Sequence, residues 1–222
     1  MIRKLSLGAW TLLFVPGFAS APWAASYGTF MDPSGTVTYE DVADINGLYG
    51  APQVSLNSLD FTPVGFSAQC SQCPGGVSTS DTLTLNIQAT EGQQISEITV
   101  NEGLDYTLQS FDAAGFASVV IVANVFIDVL EINGVSVINV IANASMVFTQ
   151  NGEYETDDEG TGTFIWEGSL MIDVDTVIAD AGEIGRATLV SISLGNTLTA
   201  FAESGATARI EKKDFDGLAI TV

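Results

Sequence analysis

The sequence predicts an all-β chain: an antiparallel two-sheet sandwich, jelly-roll-like, of about ten strands. Three observations carry this. Short runs of apolar residues recur between Gly, Asn and Pro turn signals at the spacing of all-β domains. No segment has the length and period of a substantial helix. Some strands are apolar on both faces while others are one-sided, which favours two packed sheets over the alternative of a single closed barrel. A chain of 222 residues, 46% hydrophobic, suits one domain.

Asp32-Pro33-Ser34-Gly35 is a turn leading into a first strand at Thr36 to Tyr39. A loop follows at Gly47 to Pro52, then a strand from Val54 to Phe61 interrupted at Asn57-Ser58. Asp81 to Ala89 is the clearest half-buried strand, with Leu83, Leu85, Ile87 and Ala89 inward. Glu91-Gly92 turns the chain into Ile95 to Val100, and Glu102-Gly103 turns it again into Asp105 to Phe111. The strongest signal runs from Ala117 to Thr149. Alternating residues up to Ile132 meet Asn133-Gly134, the dipeptide of a type I′ hairpin turn, and a return strand is expected to Phe148. After an acidic loop come a strand from Thr163 to Val174 holding Trp166, a helical turn at Thr176 to Ala181 stopped by Gly182, and strands at Leu189 to Leu198, Thr207 to Lys212 and Leu218 to Val222.

Residues 1–26 read as a secretory signal peptide: Met1-Ile2-Arg3-Lys4 is basic, Leu5 to Val15 is apolar, and Ala24-Ala25-Ser26 offers small residues for cleavage. Residues 27–222 are then the single β-sandwich domain, secreted or at the cell surface, with no membrane contact after the signal is removed. Its four basic side chains face 27 acidic ones, a net charge of -23. Nucleic acid is excluded as a partner, because phosphate binding needs Lys and Arg to displace counterions. Cations and a saline medium suit such a surface.

Histidine is absent. That removes Ser-His-Asp and Cys-His catalysis and imidazole metal sites. Cys70-Ser71-Gln72-Cys73 is the one cysteine pair, and in an exported chain it is expected to close a small disulfide loop. Glu153, Glu155, Asp157, Asp158 and Glu159 concentrate hard oxygen ligands, which raises a calcium site, although Trp166 stands where an EF-hand would need its twelfth-position Glu. The competing expectation is a solvated acidic loop. Asp173 and Asp175 would share one face if the strand persisted. No acid pair is singled out for glycoside hydrolysis. Tyr27, Tyr39, Tyr49, Tyr106, Tyr154, Trp23 and Trp166 include potential sugar platforms but suit core packing better, and the Asn143-Ala144-Ser145 acceptor pattern is discounted as lying in a buried strand.

Leu48-Tyr49-Gly50-Ala51-Pro52 with Leu59-Asp60-Phe61, the stretch from Ile98 to Tyr106, and the ending from Ala208 to Leu218 together resemble exported bacterial proteins that carry a C-terminal PEP-CTERM sorting tag. The resemblance implies an exported location and names no activity. No Pro-Glu-Pro tag precedes Val222, a departure from the pattern. The expected function is a structural or interaction protein of the extracellular matrix with no catalytic activity, its partners extracellular polysaccharide or other surface proteins. The alternatives are a calcium-assisted carbohydrate-binding module and, behind it, a glycoside hydrolase.

Overall fold

The computed structural model describes residues 24–111, 115–212 and 218–222. In chain order its strands are β1 (Ala25–Met31), β2 (Val37–Asp44), β3 (Gln53–Ser55), β4 (Ser58–Phe61), β5 (Ser67–Ala89), β6 (Glu97–Ser110), β7 (Ala117–Ile132), β8 (Val135–Ser136), β9 (Ile141–Ser145), β10 (Val147–Phe148), β11 (Glu153–Glu155), β12 (Gly162–Asp173), β13 (Ala187–Glu211) and β14 (Leu218–Thr221). Two short helices, α1 (Thr156–Glu159) and α2 (Val174–Asp180), flank β12.

The all-β, antiparallel expectation holds, but the described residues form fourteen strands and all of them join one sheet. Its main path runs β1-β2-β5-β13-β6-β14-β4-β3. The sheet curls until its two ends meet, where Leu56 N–H donates to Asp32 Oδ2 at 2.8 Å and Thr36 N–H to Asn57 Oδ1 at 2.7 Å. The result is a nearly closed barrel, closer to the alternative architecture than to a jelly roll.

β13 organises the whole. Its 25 residues pair with β5 along one edge, while the other edge takes β7 over Ala187 to Ala202 and then β6 over Ala206 to Glu211. The sequence suggests two separate strands there because Ala202 to Gly205 breaks the apolar pattern. The structure answers that break with register shifts inside one continuous strand.

β7 is central and buries one face, with Val119, Ile121, Ala123, Val125, Ile127 and Val129 at 2% exposure or less. Val122 and Phe126 on its other face reach solvent. The Asn133-Gly134 turn forms with positive φ at both residues, 51° and 74°. Its return strand is broken into three. β8 and β9 pair with β7, separated by a bulge around Asn139, whose φ is 61°, and β10 crosses to pair with β12 instead. β11 then rejoins β7. This zigzag bridges the free edges of β7 and β12, and with the hairpin β3-β4 and the leading strand β1 it accounts for the extra strands.

Three further expectations change. Glu102-Gly103 is no turn, since β6 runs straight through it against β12. The segment from Cys70 to Cys73 lies within β5 and not in a loop. Asn143 is exposed on β9, so burial gives no ground for discounting it. β1 begins at Ala25 and pairs Ala25 with Asp44, so strand structure starts before the expected boundary at residue 26. Residues 1–23, including Trp23, lie outside the described residues. No described helix is long and apolar enough to cross a membrane.

Candidate functional site

Among the described residues, the buried charged and amide side chains in an otherwise apolar interior are Asp44, Asp81, Glu102, Asn196, Glu211 and Lys212. On β6 the inward positions are Ile98, Val100, Glu102, Tyr106 and Leu108, so strand alternation drives the Glu102 carboxylate into the core. Gly103 beside it faces outward, and a Cβ there would lie 3.1 Å from the Trp166 carbonyl. The glycine thus serves the close approach of β12.

Two groups meet Glu102. Asn196 points inward from β13 between Leu194 and Leu198, and its Nδ2 donates to Glu102 Oε1 at 2.5 Å and Oε2 at 2.6 Å. Lys212 follows β13, is anchored by its N–H to the Phe66 carbonyl at 2.9 Å, and brings Nζ to 2.7 Å from Glu102 Oε1. Both side chains of this ion pair have no solvent exposure. The rings of Tyr49, Phe66 and Trp166 stand 5.6, 5.3 and 6.0 Å from Nζ and cage the ammonium.

Tyr49 reaches this position because two buried carboxylates fold the loop before it. Asp44 Oδ1 accepts from Gly47 N–H at 2.8 Å, and its Oδ2 accepts from Tyr49 N–H at 2.9 Å and from the Tyr27 hydroxyl at 3.1 Å. Asp81 accepts from the N–H groups of Ile45, Asn46, Leu48 and Thr82. Both acids act as a mould for backbone donors, the use that a short polar side chain offers a turn.

Burial dominates the electrostatics. It pushes the Lys212 ammonium below its ordinary range, against the restoring pull of Glu102. Burial also raises the Tyr49 hydroxyl well above its usual value, and the Glu102, Asp81 and Asp44 charges push the same way. Asp44 is raised by burial too, with the hydrogen bond from Tyr49 N–H opposing. The site is under-satisfied: Tyr49 Oη, which lies beside Asn196, Trp166 Nε1 and Asn196 Oδ1 are buried without a well-formed hydrogen bond, and Lys212 Nζ has its ion pair but no properly angled bond. Buried polar atoms left so are uncommon.

Two surface grooves flank the hub and share Leu104. One, of about 710 Å³, is lined by Glu102, Trp166, Phe148 and Ile165. The other, of about 550 Å³, is lined by Phe66 and Lys212.

The residues that the sequence singles out lie elsewhere. Glu153 and Glu155 fall on β11, and Asp157, Asp158 and Glu159 on α1. Four of the five, all but Asp157, border an open depression of about 510 Å³ with Gln150 and Asn151. Among the described residues no three acidic or cysteine side chains converge as a metal-binding group. Asp173 and Asp175 do not share a strand face, because α2 begins between them. Asp173 caps that helix by accepting from Thr176 N–H at 2.9 Å, and Asp175 pairs with Arg186. Cys70 and Cys73 form a close pair with Cα atoms 5.6 Å apart, within disulfide range. Tyr39, Tyr49, Tyr106, Tyr154 and Trp166 are all at most 2% exposed, so they are core and not open platforms, while Tyr27 is half-buried.

Sequence reasoning missed the hub. Glu102 was hidden by the turn-like Glu-Gly pair, although it stands in phase with the inward residues Val100 and Tyr106. Compared with known proteins, the chain matches no family model and no curated protein sequence.

Proposed function

We propose that this chain is a secreted or cell-surface structural or interaction protein of the extracellular matrix, with no catalytic activity, of the PEP-CTERM-like exported kind that its sequence resembles. The observation that carries this reading is the disposition of charge. Arg186, Arg209 and Lys212, the three described basic side chains, each pair with a carboxylate, which leaves the outside of the barrel dominated by acids. Asp44, Asp81 and Glu102 are occupied in holding the interior. Such a surface meets polysaccharide or neighbouring proteins through cations and water. Fractionating the native host tests the proposal: the chain is expected with the extracellular or surface material and inert toward a panel of glycoside substrates. Cytoplasmic retention or measurable turnover would overturn it.

The depression between Glu153 and Glu159 supports a second reading, a calcium-assisted carbohydrate-binding module. Extracellular calcium sites bind at about 10⁻⁴ to 10⁻³ M. In this reading about 10 mM calcium raises stability more than magnesium does at equal ionic strength, and Asp158→Asn with Glu159→Gln, both on the depression, removes the difference. Equal shifts leave a solvated acidic loop.

A further inference from the structure

We infer that Lys212 and Asn196 close into an intramolecular amide bond, with Glu102 as the acid-base group that makes it. The three side chains come from separate places in the chain, yet one carboxylate holds both partners: Glu102 Oε1 lies 2.7 Å from Lys212 Nζ and 2.5 Å from Asn196 Nδ2. An amine and a carboxamide held around one proton carrier have prepaid most of the entropy of their encounter. The rings of Tyr49, Phe66 and Trp166 surround Nζ, and neither Lys212 nor Glu102 has any side-chain exposure, so bulk water neither solvates the ammonium nor competes with it as nucleophile.

The chemistry balances without cofactor or oxidant. Lys212 gives a proton to Glu102, and the freed Nζ lone pair attacks Asn196 Cγ, as desolvated lysines do toward carbonyl carbons. Glu102 passes a proton to Nδ2, which already rests against both its oxygens. The Nζ–Cγ bond forms, the Cγ–Nδ2 bond breaks and ammonia leaves. Of the three ammonium hydrogens, one remains on the new amide nitrogen, one departs with the ammonia and one stays on Glu102.

Two further observations point the same way. Burial shifts Lys212 toward the neutral amine that the attack requires. Asn196 Oδ1 and Lys212 Nζ are among the few buried polar atoms lacking a proper hydrogen bond, and the reaction replaces a costly buried ion pair with a neutral amide. The bond rests on the geometry of the hub alone, whatever the outer surface binds.

Mass spectrometry of the purified, folded full chain tests it. The intact mass is expected to fall short of the sequence mass by one ammonia and to stay short after denaturation. Trypsin cutting at Arg186, Arg209 and Lys213 should release the Asn196 peptide, residues 187–209, still joined to residues 210–213, with no cut at Lys212. Lys212→Arg and Glu102→Gln should restore the full mass. Should either fail to fold, Asn196→Asp gives an independent check, because its bond would expel water in place of ammonia. A folded wild-type chain at full mass with a free Lys212 overturns the inference, as does an ammonia deficit that leaves residues 210–213 unattached.

Discussion

Five carboxylates crowd into residues 153–159 and remain near the surface, whereas Glu102 stands among apolar neighbours and carries the one ion pair, among the described residues, with both side chains fully buried. In the acidic segment each charge keeps much of its hydration, so its interactions are screened and individually weak. In the hub desolvation makes every partner matter, because removing one leaves a bare charge in low dielectric. Crowding along the chain is therefore a poor guide to chemical consequence here. Burial is the better one.

The largest expected effect comes from Lys212→Met, which strands the Glu102 carboxylate among rings and aliphatic side chains. Chemical unfolding should show a loss of at least about 3 to 5 kcal/mol, and the Glu102→Gln/Lys212→Met pair should lose less than the sum of the two single changes. Full additivity would mean that the two do not form one unit. Next comes Asp81→Ala, which removes the acceptor for four backbone N–H groups and loosens the loop that aims Tyr49 at Lys212. Those donors that stay buried cost about 1 to 3 kcal/mol each when orphaned, so an overall loss of about 3 kcal/mol is expected from the same measurement.

What the sequence revealed and what it hid follow the same division. β7, its Asn133-Gly134 turn and the inward set of β5 were legible because alternation and turn chemistry are local. The helical turn before Gly182 was legible for the same reason. The closure of the sheet was not, since Leu56 N–H reaches Asp32, Thr36 N–H reaches Asn57 and β10 joins β12 through contacts that no local pattern records. Nor was the continuity of β6 through Glu102-Gly103, where a turn-like dipeptide is overridden by Asn196 and Lys212 arriving from about a hundred residues away. The acidic segment was visible because it is dense. The hub was invisible because its members are dispersed.

Away from the hub, Gly134→Val tests the hairpin. A Cβ at Gly134 would meet nothing within 4 Å, so the cost is purely that of a β-branched residue at φ 74°, about 1 to 2 kcal/mol. An unchanged unfolding midpoint would remove this turn from the determinants of the fold.

The smallest effect concerns acid. Hydrogen bonds from Leu56 N–H and from Ser34 hold the exposed Asp32 carboxyl below its usual range. A carboxylate lowered in the folded state contributes stability that is present above its unfolded value and is lost as pH falls through the folded one. Asp32→Asn should therefore flatten the decline of stability below about pH 4. A decline equal to that of the wild type would show that this junction of the sheet ends carries no linkage.

The contrast between the two regions is tested most directly by urea unfolding of two variants side by side: Glu102→Ala, and the triple change Glu153→Gln, Asp157→Asn and Glu159→Gln. The expected result is a collapse of the midpoint for the single buried change and a shift within about 0.5 kcal/mol for the three surface changes together. A triple variant that unfolds more easily than Glu102→Ala would contradict the account and place the energetic centre of the molecule in its acidic segment.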